Sequence, residues 1–114
     1  MLPLQHKNLT VYKKSIDIVS EIYCKTNDYP ASEKFALVSQ LRRAAVSIPS
    51  NIAEGASRKS LKERKRFYEI ARSSLVELDT QIEISLNLKY LRKNEIEKVE
   101  KLANDIFAML SRMV

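Results

Sequence analysis

One glycine, one cysteine, one histidine, no tryptophan and three prolines are all that 114 residues contain of these types. Each shortage excludes a class of protein. A single Gly55 cannot build a glycine-rich phosphate loop. A single His6, ahead of the first helical pattern and read as solvated, leaves no Glu-x-x-His pairs for a di-iron bundle and no central base for a Ser/His/Asp arrangement. One Cys and one His also rule out the usual structural zinc sets. Cys24 has no partner for an internal disulfide, which fits a reducing, cytoplasmic setting, and it reads most simply as a small apolar residue in or near the core. No apolar run approaches the roughly 20 residues of a membrane span, and the opening MLPLQHKN lacks the apolar stretch of a secretion signal. The expectation is a cytoplasmic protein that is not an enzyme, with no cofactor, metal, membrane or small-molecule substrate.

The same scarcity of Gly and Pro argues for fold. An all-β domain of this size needs many turns, whereas a few long helices need few. Hydrophobic residues make up 45% and charged residues 30%, enough apolar surface for one globular domain over residues 1–114. The first helical pattern runs from Asn8, a plausible N-cap, to about Thr26. Its apolar row is Leu9, Tyr12, Ile16, Val19 and Tyr23, spaced three and four apart, and Val11, Ile18 and Ile22 form a second row. Asn27-Asp28-Tyr29-Pro30 then signals a stop and a turn.

The second helix is expected to start near Ser32. Its row, Leu37, Leu41, Ala44, Ala45, Ile48, Ile52 and Ala56, passes through Pro49 without losing phase. Pro49 cannot donate to the carbonyl of Ala45 and crowds it, so the pattern predicts one helix kinked at Pro49. The alternative is a break, with Ser50 capping a new helix. A polar row (Gln40, Arg43, Ser47, Asn51 and Glu54) lies beside the apolar one, either as a solvated face or as a polar interface to another subunit or a ligand. Gly55 suits a left-handed position at the helix C-terminus.

Ser60 with Glu63 makes a capping-box pattern for a third helix reaching about Leu88, with Phe67, Ala71, Leu75, Leu78, Ile82 and Leu86 in its core row. Ile70, Ile84 and Leu88 fall outside that row and need other cover. Asn94 with Glu97 repeats the capping pattern for a fourth helix, whose row is Ile96, Val99, Ala103, Ile106, Leu110 and Met113. Short connections between four amphipathic helices predict an all-α, antiparallel up-down-up-down four-helix bundle. Apolar residues beyond the core rows predict self-association.

One segment departs from what folding alone would select. Arg58, Lys59, Lys62, Arg64, Lys65 and Arg66 stand against Glu63 alone, carrying +5 of the chain's net +6. Cations at a helix start oppose its dipole, and like charges four apart repel by a few tenths of a kcal/mol. Such a run reads as an anion-binding patch for nucleic-acid phosphates, centred on Arg58, Lys59, Lys62, Lys65 and Arg66, with a solvated basic face as the plain alternative. A rival use for the same patch is to dock an acidic partner protein.

The stretch SQLRRAAVSIPSNIAEGASRKS, with its core S-I-P-x-N-I-A-E-G at Ser47 to Gly55, resembles the "four helix bundle protein" family. NLTVYKKS, the Tyr29-Pro30 turn, IARSSLVELDTQIEIS and the Leu88–Leu91 turn extend the resemblance over nearly the whole chain. That family includes proteins encoded in intervening sequences of bacterial large-subunit rRNA genes and the accessory variability determinant of diversity-generating retroelements. The resemblance implies a four-helix protomer, a barrel-shaped homopentamer and no catalytic residue. For the retroelement members it implies binding of nucleic acid and of a reverse transcriptase. By position, Arg43, Ser47, Pro49, Asn51, Glu54 and Gly55 match the family motif and look architectural, at subunit contacts.

Overall fold

The computed structural model of the protein describes all 114 residues, Met1–Val114, and contains helices only. The four are α1 (Thr10–Thr26), α2 (Leu37–Ser57), α3 (Leu61–Asn87) and α4 (Glu97–Met113), with short 3-10 turns at Gln5–Asn8, Ala31–Glu33 and Lys93–Glu95. Each helix packs on its neighbours in chain order, and α4 returns to α1. The cross-links descend in one helix as they rise in the next. Lys14 meets Asp105 while Glu21 meets Lys98, and Ser47 meets Ser74 while Gly55 meets Tyr68. The result is a four-helix bundle about 43 Å long, a length that the 27 residues of α3 nearly span at about 1.5 Å each.

The core is continuous and apolar. Ile18, Leu41, Ile48, Ile52, Leu78, Ile106 and Leu110 are fully enclosed or nearly so. On α1 the buried row is the second one: Val11, Ile18 and Ile22 face inward, while Leu9, Ile16 and Tyr23 are about 40% exposed. The inward row contains Ser15 and Thr26, which make it look less apolar in the sequence. Their hydroxyls donate to the carbonyls of Tyr12 (2.6 Å) and Ile22 (2.8 Å), so both groups enter the core already satisfied. Cys24 is exposed on α1 rather than part of the core.

Helix α2 runs unbroken through Pro49, which is itself buried, so no new helix starts at Ser50. Its apolar row is inside as expected. Gly55, however, is not left-handed. No glycine has positive φ, and α2 continues for two residues past it. Gly55 is there because α3 comes so close: a Cβ would lie 2.7 Å from Cε1 of Tyr68.

The helix starts correct three further expectations. Asn8 closes the first 3-10 turn and Leu9 occupies the cap position of α1, with no side-chain cap. Ser32 lies inside the second 3-10 turn, and α2 begins five residues later, after Ala36 at φ −122° and ψ −103°. The Glu33 carboxylate accepts from the Leu37 backbone N–H there, at 3.4 Å. Asn94 likewise sits within a 3-10 turn, closed by Glu95 accepting from the Arg92 N–H at 2.8 Å. In each case an unforeseen 3-10 turn took up the residue expected to cap. The left-handed residue at the end of α3 is Lys89, with φ 65°.

Half of the expected capping box on α3 forms: the Ser60 hydroxyl accepts from the Glu63 N–H at 3.2 Å, while the Glu63 carboxylate turns to Arg58 at 3.9 Å instead of back to the Ser60 N–H. Ser60→Ala should cost about 1 kcal/mol in chemical denaturation, the usual value of an N-cap. A change below a few tenths would show that the α2–α3 turn is held by other contacts. Between α1 and α4, the Lys14 ammonium 2.8 Å from Asp105 holds that carboxyl below its ordinary range. At the opposite end of the bundle, Tyr90 donates to the Glu33 carboxylate at 2.9 Å, and this hydrogen bond pushes its phenol up.

Candidate nucleic-acid interface

The basic segment forms the three-residue link between α2 and α3 and the first turns of α3. The structure divides its cations into two kinds. Arg58 is engaged: its guanidinium lies 3.2 Å from Glu54 and 3.9 Å from Glu63, and 4.8 Å from the Phe67 ring centre. Arg64 donates through Nε to the Arg58 carbonyl at 2.6 Å, closing the turn. Lys59, Lys62, Lys65 and Arg66 are exposed and make no ion pair within 4 Å. Arg66 also lies over Phe67, at 5.8 Å from the ring centre. The segment therefore presents four uncompensated charges, Lys59 in the link and the other three on the first turns of α3, on a frame braced by two arginines. Its bracing by Glu54, Glu63 and Phe67 has no signature in sequence spacing alone, apart from the i, i+4 pair Glu54/Arg58.

The charge extends beyond this segment. The half of the bundle with the α2–α3 link and both termini (residues 1–17, 51–73 and 104–114) holds eleven Lys and Arg against five Asp and Glu. The other half holds nine of each. The whole net charge thus lies at one end, because the antiparallel order brings the start of α1 and the end of α4 beside the basic segment.

Of the motif residues, Ser47 and Gly55 lie at the α2–α3 seam, whereas Pro49 lies beside Tyr12, Ile16 and Val19 of α1 and Glu54 beside the N-terminal turn. Ser47 Oγ and Ser74 Oγ are 2.8 Å apart, and the Asn51 amide donates to the Ser47 carbonyl (2.8 Å) and hydroxyl (2.9 Å). Pro49 and Gly55 are buried, whereas Arg43 and Glu54 are exposed. Ser47 therefore bonds α2 to α3, Asn51 holds the Ser47 hydroxyl from within α2, and Gly55 lets Tyr68 come close, with Ser74 and Tyr68 as the partners that sequence reading did not single out. Arg43 is left free on the surface. No group of three or more His, Cys, Asp or Glu side chains is placed to hold a metal ion. No helix is long and apolar enough to cross a membrane.

An all-α bundle with one polar seam and one basic end is the class this structure defines. The chain belongs to the 23S rRNA-intervening sequence protein family, whose pattern matches residues 7–112. Among solved structures it is similar to a protein of unknown function from the S23 ribosomal protein family of Bacteroides thetaiotaomicron VPI-5482. The TM-score is 0.81 at 20% identity, over 91% of this chain and 97% of that one, a likeness of fold. Neither match speaks of a retroelement or a reverse transcriptase. No curated protein matches the chain.

Proposed function

We propose that the protein is a non-enzymatic, self-associating bundle that binds RNA or DNA through phosphate contacts at its basic end. The observation that carries this reading is the segregation of the entire net charge to one end, with Lys59, Lys62, Lys65 and Arg66 uncompensated there. Four cations without an acidic partner, clustered at a helix start, oppose the helix dipole. An approaching phosphate backbone compensates them and releases its counterions. The family description names a 23S rRNA intervening sequence and no reverse transcriptase, so the reading rests on the charge and not on a named partner. Self-association, with a pentamer as the expected state, draws on Ile16, Tyr23, Val46, Ile84 and Phe107, each about 40% exposed.

Engaging four phosphates should give a slope of log affinity against log salt of about −3.6 on duplex DNA, and a shallower one on single strands. Changing Lys59, Lys62, Lys65 and Arg66 together to Gln should weaken binding to all sequences alike and flatten the slope, since no base-reading cluster accompanies them. Folding should be unaffected, because Arg58 and Arg64 still brace the link. The measurement is a salt titration of both proteins with mixed RNA and DNA oligomers. Failure of the wild type to bind at low salt, or equal binding by the variant, would overturn the reading. The patch would then be left to an acidic partner protein.

A further inference from the structure

Phe35 is the most exposed aromatic side chain of the protein, 88% accessible, directly before the bent backbone at Ala36. The Lys34 ammonium lies 5.4 Å from its ring centre. Nothing in its own chain covers it. Elsewhere, between α3 and α4, a groove of about 270 Å³ is lined by Leu75, Ile82, Val99 and Ala103 and edged by Asp79, Glu83 and Glu100, with Lys93 also at its edge, 3.8 Å from Glu100. An enclosed apolar cavity of roughly 150 Å³ accepts a benzene ring, so this groove has room for a phenylalanine side chain. Asp79 and Glu83 have no cation partner of their own and match the lysine that precedes the ring.

We infer that Phe35 of one copy inserts into the α3–α4 groove of a second copy, with Lys34 meeting the acidic edge. The two features also share a level along the bundle. Tyr90 bonds Glu33 at 2.9 Å, joining the α1–α2 and α3–α4 turns at one end, and the groove reaches Lys93 and Ile96 at that same end. A knob and a hole on different surfaces make a head-to-tail contact, and matching heights let it repeat by rotation without a rise along the bundle, the condition a ring needs and a filament does not. The contact lies at the end of the bundle away from the basic segment and leaves that segment open to solvent.

This inference rests on the self-association proposed above, and the experiment separates the two. Light scattering on the wild type reports first whether an oligomer exists. Phe35→Ala, at an exposed position, should keep its helical circular dichroism and weaken assembly by about tenfold or more, as loss of a central aromatic anchor does. Ala103→Trp should fill the groove and also block assembly. Each variant retains the half that the other has lost, so an equimolar mixture should yield a one-to-one dimer that grows no further. A monomeric wild type would end both ideas. An oligomeric wild type with Phe35→Ala assembling equally well would end only this contact. If Ala103→Trp loses its helical signal, the Phe35→Ala result decides alone.

Discussion

Ile18→Ala is expected to lower the unfolding free energy by about 3 kcal/mol, and Ile16→Ala by less than 1 kcal/mol. Both are isoleucines on α1, two residues apart, and both belong to rows of helical spacing. Ile18 has no accessible surface, whereas Ile16 is 42% exposed. Removing a buried Ile side chain forfeits its transfer free energy and leaves a cavity that the close-packed neighbours fill only in part, for roughly 2–5 kcal/mol. Urea unfolding in dilute protein, followed by helical circular dichroism, tests the pair. Equal losses would mean that α1 is rotated from the orientation described. Protein concentration adds a second reading, since binding between copies stabilises the folded state by mass action. A deficit in Ile16→Ala that appears only as concentration rises would place Ile16 in an interface.

That pair also shows where the sequence was legible and where it was not. Helix number, the cap at Ser60 and the inward faces of α2 and α4 could be read directly, because their apolar rows are uninterrupted. On α3 the row Ala71, Leu75, Leu78 and Ile82 was legible, but buried Tyr68, Gln81 and Ser85 beside it were not. Nor was the face of α1. Its buried row carries Ser15 and Thr26, whose hydroxyls are satisfied by carbonyls of their own helix. Periodicity counts such residues as polar and turns the helix toward its other row, Ile16 and Tyr23. The helix starts failed for a related reason: Asn8, Ser32 and Asn94 are good capping residues, but each was absorbed by a 3-10 turn whose bonds are set by local backbone geometry. At the candidate interface the run of cations was plain. Its division into bracing and free charges was not, because Arg58 and Arg64 are distinguished only by Glu54, Phe67 and a backbone carbonyl brought to them by the turn.

Gly55→Ala is expected to destabilise the protein by about 2 kcal/mol, although alanine is the better helix former. Gly55 is inside α2, where the exchange should favour folding by about 1 kcal/mol on propensity alone. The added methyl would lie 2.7 Å and 2.9 Å from two ring carbons of Tyr68 and 3.1 Å from the Phe67 Cβ. The Tyr68 ring is only 9% exposed and has little room to move aside, and the Phe67 Cβ is held by the α3 backbone. Overpacking of this kind costs roughly 1–3 kcal/mol or more, which outweighs the propensity gain. The two contributions separate in a double-mutant cycle. In a Tyr68→Ala background the two closest contacts are gone, and Gly55→Ala should lose most of its cost, with the Phe67 Cβ contact at 3.1 Å set against the propensity gain of about 1 kcal/mol. A glycine needed for a left-handed backbone would give a loss in both backgrounds, since that strain does not depend on Tyr68. Denaturation of the four proteins at one concentration measures the coupling, and a Gly55→Ala protein more stable than wild type would refute the close approach of α2 and α3 at this point.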